Sequence, residues 1–419
     1  MLGVIADDVT GATDVAVSLR RNGLRTLLYF GTPPPETEPP AAEAVVVALR
    51  SRMIPAAAAV TDSLRALGWL RGHRVRQVYF KYCSTFDSTA EGNIGPVLAA
   101  LATALDARTV VTTPSSPQHG RTQYRGHLFV GDELLADSPM RDHPLTPMRD
   151  SNLVRLLQAQ VPEPVGLLGH DTVRAGGAAL RRAIRQATAH YLLADATTEE
   201  DLRVLGRVLA EDPLVAGAAG LAGGLAAALG RGHPPEDEFD LGGPAAVLSG
   251  SCSARTLEQV GELLRLGRPA HRLDPIAQPD PETLAAQALD WFDTTTGHGP
   301  LIYSTMSPAE LRHTQDALGV EGSARILERA TGLIAVGLAR RGIRRLITAG
   351  GETSGAVVAA LGVRGGAIGP EAAPGVPWIR PVDPAHPLLL LKSGNFGAPD
   401  LLATASTPHR TDPPCPLAP

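Results

Sequence analysis

Two successive blocks of the chain alternate short β-branched runs with amphipathic stretches, and this alternation constrains the fold more than any other feature. In the first block "LGVIA" (2–6), "RTLLYF" (25–30), "AVVVALR" (44–50), "QVYFKY" (77–82) and "ARTVVTTP" (107–114) read as strands. Between them "TGATDVAVSLRRNG" (10–23), closed by Gly23, "AAAAVTDSLRALGWLRG" (56–72) and "AEGNIGPVLAALATALDA" (90–107) carry helical spacing. "PVGLL" (164–168), "ATAHYLLAD" (187–195) and the helical "TEEDLRVLGRVLAED" (198–212) continue the pattern. The Gly-, Pro- and acid-rich segment 230–244, "GRGHPPEDEFDLGGP", interrupts it and reads as a linker. The alternation then restarts with "AAVLSG" (245–250), "ARTLEQVGELLRLG" (254–267), "GPLIYST" (299–305), a long helix near 322–341, "IRRLITAGG" (343–351), "TSGAVVAALG" (353–362) and "PLLLLKSG" (387–394). Strands separated by helices form parallel sheets with helical crossovers. The expectation is an α/β protein of two domains, 1–235 and 236–405, with mainly parallel sheets. The tail 406–419, "STPHRTDPPCPLAP", has too little apolar content to pack and reads as disordered.

Composition narrows the class. A length of 419 residues suits two domains. With 44% hydrophobic but only 4% aromatic residues, the core must be built from Ala, Leu and Val. A formal net charge of −5 offers no electrostatic attraction for nucleic acid. The opening "MLGVIADD" lacks a basic n-region, and no apolar run approaches the roughly 20 residues a membrane span needs. Cys83, Cys252 and Cys415 have no metal-ligand spacing, and their odd number argues against a disulfide framework, so a reducing cytoplasm is expected. Of 38 basic residues only Lys81 and Lys392 are lysine. Genomic base composition can favour arginine codons and so account for the arginines. A lysine kept against that bias suits a place where a compact ammonium meets a phosphate or carboxylate oxygen and a planar guanidinium does not fit.

Ligands of open α/β sheets bind beyond the carboxyl ends of the strands. "ADDVTGATD" follows the first strand. One aspartate there can cap the helix, but adjacent side chains diverge, so the pair Asp7 and Asp8 exceeds what capping needs. Ser51 and Arg52 follow the third strand. Lys81 is followed by "CSTFDSTAEGNIGP", with Asp87, Ser88, Thr89 and Asn93, and the fifth strand by "SSPQHGRTQYRGHLFVG", with His119, Arg121 and His127. Such loops suit a small polyhydroxylated acid. An Arg or Lys would hold its carboxylate, and one of Asp7, Asp8 or Asp87 would act on a hydroxyl. "SPMRDHPLTPMRDSN" (138–152) reads as a covering loop.

The second block uses glycine and serine instead. "SGSCSART" (249–256), "TAGGETSG" (348–355) and "LKSGNFG" (391–397) each follow an apolar strand. Gly350 and Gly351 lead into a helix from Thr353, an element able to cradle phosphate. There is no G-x-x-x-x-G-K-[ST], so the chain is not a P-loop enzyme. No G-x-G-x-x-G opens either block, which weakens a dehydrogenase reading. A two-lobed sugar-acid sensor without catalysis would need neither glycine loops nor a base.

"GVIADDVTGATDVA", "KYCSTFDSTAEGNIGPV", "GHLFVGD", "RDHPLTPMRDSNL", "GSCS", "AGGETSG", "GPEAAPGVPW" and "LKSGNFG" together, in order and from residue 1 to about 405, resemble the four-carbon acid sugar kinases. "KYCSTFDST" is similar to the 3-oxo-tetronate branch of that family rather than to its threonate and erythronate kinases. The resemblance implies an N-terminal acid-sugar domain, a C-terminal nucleotide domain and an active site in the cleft between them. It implies ATP and Mg²⁺ as cofactors, with no metal ligands assigned, and phosphorylation of a terminal hydroxyl. The partners implied are a small sugar acid and ATP, with no nucleic acid and no membrane; a homo-oligomer is left open. By motif, Asp8, Asp87 and Lys81 would be catalytic, and Asp7, Arg52, Ser88 and Arg121 would bind the acid. Ser251, Ser253, Gly350, Gly351, Glu352, Thr353, Gly394 and Gly397 would bind ATP. Two positions depart from the family pattern: His119 stands where it has Asn, and Ala219 where Ser is common.

Overall fold

A computed structural model describes residues 1–143, 146–230, 233–235 and 239–407. The chain divides into two compact units, Met1–Glu236 and Asp237–Pro419.

The strands of the first unit are β1 (Leu2–Ala6), β2 (Thr26–Phe30), β3 (Ala44–Ala48), β4 (Gln77–Lys81), β5 (Val110–Thr113), β6 (Arg121–Tyr124), β7 (His127–Val130), β8 (Glu133–Leu134), β9 (Val165–Leu168), β10 (Tyr191–Ala194) and β11 (Leu214–Gly217). Eight of them form a parallel sheet in the order β2-β3-β1-β4-β11-β5-β10-β9. The runs in β1, β3 and β4 are buried along their whole length, because helices cover both faces. The helix Val9–Arg21 packs on Ala219–Leu229, and Ala56–Gly72 on Ile94–Ala104. Register places Ala6 beside Lys81 and Ala48, and Lys81 beside Gly217, so four strands end at one level.

Part of the polar stretch after β5 is not a loop. Arg121–Leu134 forms a three-stranded antiparallel sheet, β6-β7-β8, bridged back to the body through Gln123 to Ala196 and His127 to Asn152. In the segment 138–152, expected to cover the site, Pro139–Asp142 forms one turn of 3-10 helix, and residues 144 and 145 lie outside the described residues.

The second unit contains β12 (Ala245–Ser249), β13 (Ala270–Arg272), β14 (Leu301–Tyr303), β15 (Arg345–Ala349), β16 (Gly365–Ala373), β17 (Val376–Pro381) and β18 (Leu388–Lys392). Their order is β13-β14-β12-β15-β18-β17-β16; the first five are parallel and the last two antiparallel. Val247, Ile347, Trp378 and Leu390 pack with Leu263 and Leu402 in its core. Residues 408–419 of the expected tail lie outside the described residues, as do 231, 232 and 236–238 of the linker. Ser406, placed at the start of that tail, ends the helix Leu401–Ser406, and Arg345 donates to Ala405 O at 3.0 Å and Thr407 O at 3.1 Å.

Candidate active site

In the first unit the carboxyl ends of β1, β3 and β4 bring Asp7, Asp8, Arg52 and Lys81 together. The chain leaving β1 is tied to its neighbours: Asp7 N donates to Lys81 O, and Ser51 N and Arg52 N donate to Asp7 O. Arg52 then reaches back with a forked pair, Nε to Asp7 Oδ2 and Nη2 to Asp7 Oδ1, both at 2.8 Å. The same Nη2 meets Asp8 Oδ1 at 2.6 Å. Asn93 Nδ2 clamps the Arg52 loop by donating to the carbonyls of Ser51, Arg52 and Ile54. Burial alone would lower the Arg52 pKa, but its hydrogen bonds to Asp7 and the charges of Asp7 and Asp8 outweigh it and raise it.

The three candidate carboxylates differ in what remains open. Both oxygens of Asp7, 4% exposed, are held by Arg52. Both oxygens of Asp87 are also engaged, Oδ1 by Thr85 Oγ1 at 2.6 Å and Oδ2 by Cys83 Sγ at 3.0 Å. Asp8 uses Oδ1 to cap the helix at Gly11 N and to meet Arg52, and its Oδ2 has no hydrogen bond among the described residues. Burial raises the Asp8 pKa above the usual carboxylate range, against the opposing charges of Arg52 and Lys81.

Lys81 is 3% exposed and donates once, to Tyr82 O at 2.8 Å. An ammonium carries three donors, so two are unclaimed among the described residues. Gly11 makes room for this convergence: a Cβ there would sit 2.6 Å from Lys81 Nζ and collide with Asp8 Oδ1. The turn after Lys81 is strained. Phe86, fully buried, has φ 52°, a left-handed conformation costly for a bulky residue, and it directs Thr85 and Asp87 to the same side.

The remaining predicted acid-sugar residues are not joined to this cluster. Ser88 instead accepts at 2.8 Å from Nε2 of Gln160, a residue 72 positions further along the chain. Arg121 lies on β6 and donates to His119 O, with no hydrogen bond or ion pair to Asp8, Arg52 or Lys81. Its Nε is buried without a partner.

In the second unit the ends of β12, β15 and β18 are adjacent, Ser249 pairing with Ala349 and Ala349 with Lys392. Ser253 caps the helix Ala254–Arg265 and donates to Gly394 O at 2.7 Å, and Ser251 Oγ donates to Ser253 Oγ at 3.2 Å. Gly350 precedes the helix Gly351–Leu361 with φ 127°, a value only glycine adopts freely, and a Cβ on it would lie 3.1 Å from Ser251 N. No side chain caps that helix, and the N–H groups of Gly351, Glu352 and Thr353 have no acceptor among the described residues. Unclaimed N–H groups at a helix start form an anion site. Gly397, by contrast, turns the chain onto Leu401.

Family models match both units. A sugar-binding N-terminal domain covers residues 2–225 and a nucleotide-binding C-terminal domain covers 246–402. A Cupriavidus necator protein named 3-oxo-tetronate kinase is 48% identical over 418 residues, covering 97% of this chain and 96% of its own. The chain belongs to the four-carbon acid sugar kinase family. A Burkholderia multivorans relative, also named 3-oxo-tetronate kinase, is 47% identical over 97% of this chain and 96% of its own. A solved Salmonella typhimurium LT2 structure, described there as that of a tRNA synthase, is 43% identical with a TM-score of 0.90, covering 96% of this chain and 98% of its own.

In this acid sugar kinase several residues around the sites escaped the sequence reading. Gln160 holds both Ser88 and Gly95 N. Thr256 donates to Gly394 O at 2.8 Å, and Thr305 meets Ser249 Oγ at 2.6 Å. A lone Gln or Thr on a helix or after a strand carries no signal by itself; only the fold brings it to a loop. Among the described residues no helix is long and apolar enough to cross a membrane.

Proposed function

We propose that the protein transfers the γ-phosphoryl group of ATP to the C4 hydroxyl of 3-oxo-tetronate, releasing ADP and 3-oxo-tetronate 4-phosphate. The observation that carries this reading is end-to-end similarity, through both units, to proteins named 3-oxo-tetronate kinase. The geometry supports it. Phosphoryl transfer depends on positioning and charge neutralisation rather than on covalent chemistry by the protein. The hydroxyl oxygen attacks the γ-phosphorus, the bond to the β–γ bridging oxygen breaks, and the hydroxyl proton passes to Asp8 Oδ2. Among the three aspartates Asp8 alone keeps an open oxygen, and its raised pKa makes it a better base. Lys81, with two free donors, holds the substrate carboxylate, and Arg52, pinned by Asp7, supports it. The N–H groups at Gly351–Thr353 receive the nucleotide phosphates.

Among the described residues no group of three or more His, Cys, Asp or Glu is placed to hold a metal. That fits Mg²⁺ arriving with the nucleotide, since this ion takes most ligands from phosphates and water. Glu352 is the one carboxylate in the three loops and would complete its shell. When bound with the nucleotide, Mg²⁺ would supply neutralisation of the phosphate charge.

The test is ADP release by purified protein with ATP, Mg²⁺ and 3-oxo-tetronate, run beside threonate and erythronate. ADP formed only with 3-oxo-tetronate supports the reading. ADP formed only with threonate or erythronate moves the substrate to a related tetronate, and no acceptor-dependent ADP overturns the kinase.

A further inference from the structure

Lys392 lies under the glycine loops of the second unit with no exposed surface. Its three donors are all taken, by Thr256 Oγ1 at 3.0 Å, Ser393 O at 3.0 Å and Gly394 O at 2.7 Å. All three acceptors are neutral. No carboxylate among the described residues is within ion-pair distance. A buried charge without a counter-ion is costly. The surrounding elements carry Arg255, Glu258, Glu352, Arg345, Arg380 and Asp400, and of these Arg255 alone bears on the ammonium, repelling it. Arg255 is itself paired with Glu258 at 2.8 Å.

We propose that Lys392 is a positioning residue whose unpaired charge is completed by the nucleotide's phosphates, so that ATP binding and protonation of this lysine are coupled. The proposal rests on the nucleotide reading of these loops. With every donor engaged, Lys392 has none left to offer a phosphate. It acts through the loops it gathers and through its charge. Gly394 O accepts from Lys392, Ser253 and Thr256 together, so one ammonium draws the β18 loop onto the start of the helix Ala254–Arg265. Burial, reinforced by Arg255, lowers the Lys392 pKa to about 8. A polyanion placed nearby favours the charged form and raises that value. The sign follows: ATP affinity is fully present below about pH 8, where the free protein is already protonated, and falls as pH rises toward the pKa of the bound state.

The experiment is calorimetric titration of the full chain with ATP and Mg²⁺, without sugar acid, in buffers of different ionisation enthalpy. At pH 8 the wild type should take up about half a proton per ATP, and above that pH Kd should weaken by up to about tenfold per pH unit. Lys392→Met should bind ATP about tenfold more weakly at pH 7 and take up no proton. Lys392→Arg keeps the charge without titrating, and should show no uptake and a flat pH profile. A lysine with a merely structural role would change stability but would leave the proton count of the wild type at zero. Wild type that binds ATP without proton uptake at pH 8 overturns the inference and leaves the kinase intact, whether or not either variant folds. Uptake that persists in Lys392→Arg overturns it too. Wild type that does not bind ATP removes the nucleotide reading and this inference with it.

Discussion

The chain's two lysines sit in matching places, each at the carboxyl end of a strand of its unit's parallel sheet, yet their surroundings differ. Lys81 spends one donor on Tyr82 O and leaves two open beside Asp8 and Arg52. Lys392 has all three donors bound and faces no ligand directly. The difference extends to the units around them. The first unit builds its site from charged side chains locked by other charged side chains, Asp7 to Arg52 and Arg52 to Asp8. The second builds its site from backbone N–H groups and hydroxyls, with one charge hidden beneath them. A small acid with distinct hydroxyls needs side chains that select atoms. A nucleotide triphosphate presents repeated anionic oxygens, which backbone donors at a helix start already match.

The strongest way to break this comparison is to remove the open carboxylate. Asp8→Asn keeps the shape and the cap geometry. We expect kcat to fall by roughly 10²–10⁴, the usual range for general-base catalysis, with ATP binding unchanged. Because burial raises the Asp8 pKa, wild-type kcat/KM should decline as pH drops through that raised value, and the decline should vanish in the variant. A rise in KM alone would make Asp8 a binding residue and return the base to Asp87.

Next in size is Lys81→Arg. The charge remains, but the head becomes wide and planar in a site where Gly11 already allows close approach. Steady-state kinetics should show kcat/KM for the sugar acid reduced about tenfold, equivalent to about 1.4 kcal/mol of transition-state stabilisation. Arg207→Lys is the control. Arg207 and its partner Glu200 are both more than half exposed, 3.1 Å apart, and exposed pairs contribute little. A silent Lys81→Arg would mean that this lysine survives by base composition alone.

What the sequence disclosed and what it concealed divide along the same physical lines. The buried parallel strands were legible because burial on both faces forces continuous runs such as "GVIA" and "AVVVA", and the loops after them were legible by position. The sheet Arg121–Leu134 was hidden because "RTQY" and "HLFV" are short and partly polar, their partners supplied by a hairpin rather than a core. Strands 365–381 were hidden by Gly366, Gly369, Pro370 and Pro377, residues that argue against a strand. Within the site, adjacency in sequence was a poor guide. By residue type alone Asp7 and Asp8 are equal candidates for the base, and only the family motif separates them; in the fold a residue 45 positions away occupies both oxygens of Asp7 and leaves an oxygen of Asp8 open. Asp87, an equal candidate by residue type, has both oxygens taken by Thr85 and Cys83 across a strained turn. Residue types named the candidates; contacts between distant segments show which of their atoms are left open.

The smallest effect sharpens the contrast from the nucleotide side. Gly350 and Gly351 are neighbours, but only one gives a clean experiment. A side chain at Gly350 meets a φ of 127° and the Ser251 backbone at 3.1 Å, so its replacement would distort the loop before any ligand arrived. At Gly351 nothing lies within 4 Å of an added Cβ, and the residue starts an ordinary helix. Gly351→Val should therefore keep its fold, with a thermal midpoint close to wild type. Its branched side chain would stand in the space in front of the open N–H groups. Losing one phosphate hydrogen bond there costs about 1 kcal/mol, so the ATP KM should rise about fivefold. If the sugar acid is bound by the charged cluster of the other unit, its KM should not move. If the variant folds and its ATP KM is unchanged, the phosphates lie elsewhere. If both KM values rise together, nucleotide and acid binding are coupled, and the side-chain site and the backbone site act as one.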